Sequence, residues 1–120
     1  MTQTDEYLLL KDLCARLPYG VILDCCEMVD EPLTLISCKG LVNNDYDIDE
    51  VKPYLFPLSS MTEGQKEEYV SLQQRVIYNS RGLVNLDVMK YTDWCYKHHI
   101  DINGLIPMGL ANDATGKNIY

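Results

Sequence analysis

The 120-residue chain carries 18 Asp/Glu against 10 Lys/Arg, a formal net charge of −8, with 47 % hydrophobic and 23 % charged residues. Such a chain predicts one globular domain over residues 1–120, with enough apolar mass to fold without covalent staples. The acidity disfavours direct nucleic-acid binding, because phosphate repels it, and no apolar run approaches the roughly 20 residues of a membrane span.

The first residues, Met-Thr-Gln-Thr-Asp-Glu, lack the basic and apolar regions of a signal peptide. Cys14, Cys25, Cys26, Cys38 and Cys95 are odd in number and irregularly spaced, which fits a reducing compartment better than a disulfide framework. Together these predict a cytoplasmic protein. The charge is uneven: residues 1–60 hold 11 Asp/Glu and 4 Lys/Arg, residues 61–120 hold 7 and 6. An acidic first half suits either simple solubility or a basic protein partner.

In chain order, Thr4 can cap a first helix, with Asp5 and Glu6 in its first turn. Leu9, Leu10, Leu13, Cys14 and Leu17 follow at helical spacing and form one apolar stripe, which places Lys11, Asp12 and Arg16 on the other side. Pro18-Tyr19-Gly20 stops the helix. Val21–Val29 reads as a strand, Asp30-Glu31-Pro32 as a turn, Leu33–Cys38 as a second strand, Lys39-Gly40 as another turn and Leu41–Tyr46 as a short third strand. Asn43-Asn44-Asp45 then turns the chain outward. Three strands with short turns predict an antiparallel meander covered on one face by the first helix.

Asp47 can cap a short turn with Glu50 at the capping-box offset. Pro53-Tyr-Leu-Phe-Pro57 should be an extended connector, since each proline disfavours helix at the residue before it and lacks an N–H. It is apolar enough that Tyr54, Leu55 and Phe56 should pack onto the body. A strong helix start comes next: Thr62 and Gln65 have capping-box spacing, and Ser60 with Glu63 repeats it. A helix is predicted over Glu63–Tyr78. Asn85 begins another, reaching His98, whose apolar side is Val88, Tyr91, Trp94 and Cys95. Leu105–Ala111 is apolar but interrupted by Pro107 and Gly109, and Asn112–Asn118 should fray. The fold class is therefore α+β: an N-terminal helix, a small antiparallel three-stranded sheet, a proline-rich connector and two C-terminal helices.

Four stretches taken together carry a resemblance: Leu10–Gly20, Val51–Thr62, Asp93–Asp101 and Gly104–Ala111. In this order they resemble a family of small proteins of unknown function common in anaerobic gut bacteria and in their phages and mobile elements. The most specific stretch is Lys-Pro-Tyr-Leu-Phe-Pro-Leu-Ser-Ser-Met-Thr. Members of that family tend to carry a basic residue where Phe56 stands here, so a role for charge at that position does not transfer. The resemblance implies a bacterial or phage origin and a cytosolic setting. It implies no activity, cofactor or catalytic residue.

Few constellations carry chemistry. Asp45, Asp47 and Asp49 alternate as in the first half of a calcium-binding EF-hand loop, but Glu50 and Phe56 stand where Gly and Glu are required. Cys95, His98 and His99 share helical spacing, yet no further metal ligands lie at zinc-site spacing and no orienting carboxylate is apparent. Phosphate-loop and nucleophile-elbow motifs are missing. The expected function is a non-enzymatic protein-interaction module, a phage or mobile-element accessory protein with no cofactor. Its candidate contacts are Asp45, Asp49 and Glu50 on an acidic turn and Tyr54, Phe56 and Trp94 as aromatic anchors. The alternative is a small metal-binding or Cys/His enzyme using Cys95 with His98 or His99.

Overall fold

A computed structural model describes residues 2–25, 30–43, 47–78 and 85–120. The architecture is α+β, as expected. The sheet, however, has four strands in the order β2-β1-β3-β4 rather than three antiparallel ones.

Helix α1 spans Gln3–Arg16. Its cap is Thr2, two residues earlier than Thr4: the hydroxyl accepts from the Asp5 N–H and the Asp5 carboxylate accepts from the Thr2 N–H, both at 3.1 Å. Leu9 and Leu13 have no exposed surface, and Leu8, Leu10 and Leu17 pack beside them. Cys14, placed on the same stripe by its spacing, is exposed. A 3₁₀ turn over Leu17–Tyr19 closes on Gly20 at φ 70°, a left-handed conformation that glycine enters without penalty.

Strand β1 (Ile22–Cys25) pairs antiparallel with β2 (Glu31–Pro32) and with β3 (Val51–Leu55). The expected turn at Asp30-Glu31-Pro32 is thus an edge strand in its last two residues, and an edge is where a proline in a sheet is tolerated. The remainder of the predicted first strand, 26–29, Asn44 and Asp45 of the outward turn and Tyr46 at the end of the predicted third strand lie outside the described residues.

The largest correction concerns the strands expected over Leu33–Cys38 and from Leu41 onward. Leu35–Val42 is helix α2, not a strand, and Lys39 and Gly40 lie within it rather than in a turn. Thr34 and Ser37 form a reciprocal cap, the Thr34 hydroxyl accepting from the Ser37 N–H at 3.2 Å and the Ser37 hydroxyl from the Thr34 N–H at 2.9 Å. The apolar run that resembles a covered strand is divided by helical geometry. Cys38 and Leu41 are buried, while Leu35 and Ile36 stay 59 % and 79 % exposed.

The proline-rich connector is itself strand β3, next to β1 and β4 in the sheet. Pro53 fits there because it opposes Leu23 in a pair that can do without its N–H, and the ladder to β4 starts only at Tyr54. Leu55 has no exposed surface and Tyr54 has 8 %, so the connector is packed, as its apolarity requires. A 3₁₀ turn (Leu58–Ser60) leads to helix α3 (Glu63–Tyr78) and, after an undescribed link, helix α4 (Asn85–Lys97). The Thr62–Gln65 box caps α3 as its spacing predicts. Strand β4 (Asn112–Asp113) runs parallel to β3. The stretch expected to fray is therefore anchored: the Ala114 N–H donates to the Leu55 carbonyl at 2.8 Å, and Ala114 is 1 % exposed.

The core gathers Leu9, Leu13, Val21, Leu23, Leu33, Leu41, Val51, Leu55, Leu105 and Leu110. None of these comes from α3 or α4. The radius of gyration is 15.1 Å, larger than the about 13.6 Å of a compact 120-residue domain. No helix among the described residues is long and apolar enough to cross a membrane.

Candidate functional site

The residues singled out by sequence do not converge on one surface. Asp45 lies outside the described residues. Asp49 and Glu50 are exposed on a 3₁₀ turn (Ile48–Glu50), where Asp47 caps by accepting from the Asp49 N–H at 3.0 Å. Tyr54 is buried in β3, its hydroxyl donates to Asp30 at 3.3 Å, and burial followed by the nearby Asp24 and Asp30 charges holds its phenol above the ordinary range. Phe56 is half-buried, its ring 5.8 Å from that of Tyr120. Trp94 is half-buried on α4 and faces α3.

The Trp94 neighbourhood is an open groove between α3 and α4. Its indole N–H donates to the Glu68 carboxylate at 2.7 Å, and its ring lies 6.2 Å from Tyr69 and 4.6 Å from His98. Tyr69 and Tyr91 join the helices through a 3.0 Å hydroxyl contact. Gln65, Tyr69, Leu72 and Val76 recur at three- and four-residue spacing, so α3 turns one stripe toward α4. Even this stripe is only half-covered. No described side chain of α3 is buried, and Val70, Ile77, Val88 and Met89 remain 45 %, 61 %, 46 % and 57 % exposed. Glu67, Glu68, Ser71, Leu72, Arg75 and Trp94 line an open groove of about 410 Å³. Residues 63–97 contain five Lys/Arg and five Asp/Glu, so the hairpin region is neutral and the entire −8 rests on the remainder.

The body holds the opposite arrangement. Asp12 and Arg16, expected on the solvated side of α1, are 1 % and 0 % exposed. They make a paired contact, Nε to Oδ1 at 2.5 Å and Nη2 to Oδ2 at 3.2 Å. Arg16 Nη2 also donates to the Ile100 carbonyl at 2.8 Å, Asn103 donates to Asp12 at 2.7 Å, and the guanidinium lies 4.8 Å from the centre of the Tyr96 ring. A buried guanidinium needs such partners to offset its lost hydration. Among the described residues, Arg16 Nη1 and His99 Nδ1 are buried without a hydrogen-bond partner. Asp101, also buried, accepts from the Leu105 and Ile106 N–H groups and so fixes the loop after α4. Sequence reasoning missed this cluster. The i,i+4 spacing of Asp12 and Arg16 was its one visible signal, and that spacing is equally common on exposed helix faces.

His99 ends α4 at φ 59°, with its ring stacked 3.7 Å from Tyr120. Burial, reinforced by the Arg16 and His98 charges, lowers its pKa to about 4. The Tyr120 hydroxyl accepts from the Ile22 N–H at 2.8 Å and donates to the Tyr54 carbonyl at 2.7 Å. It therefore bridges β1 and β3 at the next register position, where a direct ladder bond would otherwise close. Burial raises its phenol to about 12.

The Cys95 and histidine candidates are held by different neighbours. Cys95 has no exposed surface, and burial pushes its thiol up to about 11 against the lowering pull of Arg16, so it is protonated at neutral pH. His98 packs on Trp94 and His99 on Tyr120. Among the described residues, no group of three His, Cys, Asp or Glu side chains is placed to hold a metal ion. No family model, curated protein or solved structure matches the chain.

Proposed function

We propose that this chain is a non-enzymatic protein-interaction module, a cytoplasmic accessory protein of a phage or mobile element, and that it binds through the open face of the α3–α4 hairpin. One observation carries the choice of surface: α3 is 16 residues long and none of its described side chains is buried. Helices of this length are marginal in water unless an apolar face is covered, and Val70 and Ile77 leave apolar surface exposed along this one. The four-stretch sequence resemblance supports the phage or mobile-element setting. The acidic turn at Asp49 and Glu50 serves in this reading as a solvated cap.

Lysine-reactive cross-linking of the tagged protein in bacterial lysate, mapped by mass spectrometry, tests the surface. Lys66, Lys90 and Lys97 lie on the hairpin, and Lys11, Lys39 and Lys117 lie exposed elsewhere. Intermolecular links should concentrate on the first three, whether they lead to another protein or to a second copy. Links concentrated on the second three would overturn the assignment.

A further inference from the structure

We infer that the occupant of the hairpin face is a second copy of this chain, docked by antiparallel pairing of α3 with α3 across a two-fold axis at Ser71. This rests on the hairpin being the docking face and adds the partner's identity. Glu67 and Arg75 both line the groove and stand eight residues apart, about 12 Å along the helix. Ser71 is midway between them, exposed, and lines the same groove. An isologous interface requires a surface complementary to itself. Reversing one α3 against another about Ser71 sets Glu67 opposite Arg75 twice. Among the described residues, neither Glu67 nor Arg75 has an ion-pair partner within its own chain. The small Ser71 side chain lets the helices approach at the axis. Leu72 and Trp94 supply apolar surface beside it.

Charge distribution favours the same occupant. A protein with net charge −8 repels its own copies at long range, yet residues 63–97 are neutral. Copies meeting through this region bring together segments that carry no net charge, and the repulsion between the acidic remainders is screened within about 8 Å at physiological salt. A strongly basic partner would find its complement on the body instead. The available face, two helix widths across and about 24 Å long, covers about 480 Å² in projection on each copy, the scale of a weak or transient interface.

The test is sedimentation equilibrium of the purified full chain at physiological salt, with thermal unfolding of each variant as a folding control. The expected species has twice the 13.8 kDa protomer mass, with Kd at or below about 100 μM. Ser71→Arg places two like charges at the axis and should weaken association at least about tenfold. Glu67→Arg and Arg75→Glu should each weaken it, and the double variant should recover to within about threefold of the original, since a swap restores both cross-axis pairs. All three sites are exposed, so the variants should fold. A protein that stays monomeric to about 1 mM, or a double variant no better than the singles, overturns the inference. A monomer whose hairpin lysines still cross-link to another protein removes this partner while leaving the docking face intact. A monomer with cross-links elsewhere removes both.

Discussion

In the body of the protein, Arg16 and Leu55 have no exposed surface; in the hairpin, Val70 and Ile77 keep 45 % and 61 % of theirs. The body has drawn a charged pair inward and surrounded it with a ring, a carbonyl and an amide. The hairpin has left aliphatic side chains outward and balanced its charges to zero. The contrast separates two tasks. A buried ion pair costs desolvation and is compensated only when its partners are fixed, so it marks a fixed part of the body, although Leu35 and Ile36 of α2 stay 59 % and 79 % exposed there. Exposed aliphatic residues on a helix none of whose described side chains is buried fit the proposed reading, in which another surface completes the hairpin.

The largest expected difference between the regions is in their arginines. Arg16→Ala leaves Asp12 buried without its cation and should destabilise the fold by about 3–5 kcal/mol. Arg75→Ala, on the groove rim, should change protomer stability by less than about 0.5 kcal/mol. Urea unfolding of the two variants measures this directly, and similar losses would erase the distinction between body and hairpin. Next come the leucines. Leu55→Ala removes a fully buried side chain and should cost about 2–5 kcal/mol, whereas half-covered Leu72→Ala should cost about 1 kcal/mol in the monomer. If Leu72→Ala proves as costly as Leu55→Ala, the hairpin is a second core and not an open face.

A smaller effect separates His99 from the surface. Its pKa falls from 6.5 to about 4 on folding, chiefly through burial. Between those values the unfolded chain binds the proton more readily, so this contribution is complete above about pH 6.5 and is lost as pH falls toward about 4. The ring is only half-buried, and the discounted contribution is about 1–2 kcal/mol. Because the residue sits at φ 59°, His99→Asn is the suitable variant, as Asn tolerates that conformation. Stability curves from pH 7 to 4 should be flatter for His99→Asn than for the parent, and parallel curves would show that the burial does not reach the imidazole. The smallest effect is redox. Cys14, Cys38 and Cys95 are free, with the Cys14 and Cys38 sulfurs at 3.6 Å, a contact between thiols. Added reductant should leave Tm unchanged, and a drop of several degrees would mean that a disulfide supports the body.

What the sequence makes legible divides along the same line. Thr62 and Gln65 announce α3 because a capping box is local and uses few residue types, and the Pro53–Pro57 stretch announces its packing by its apolarity. Leu33–Cys38 misleads because its N-cap partner is Ser37, not the Glu or Gln that marks the usual box, and because a short apolar run has no period to separate helix from strand. Asp12, Arg16, Asn103 and Tyr120 are illegible for another reason. Their partners lie 84 to 98 residues away, and no local pattern encodes such a contact. For the binding face, Trp94 is visible as an aromatic on a helix. Its setting with Glu67, Ser71 and Arg75 appears only once α3 lies against α4.

The Arg16 environment also dictates an order of events during synthesis. Asp12 is one helical turn from Arg16 and is made first, whereas Ile100 and Asn103 come 84 and 87 residues later, a delay of roughly 4–17 s at 5–20 residues per second. Through that interval the guanidinium has its carboxylate but neither the Ile100 carbonyl nor the Asn103 amide, and α1 has no dry site in which to bury it. The Arg16 site therefore cannot be completed until the segment after α4 has been made.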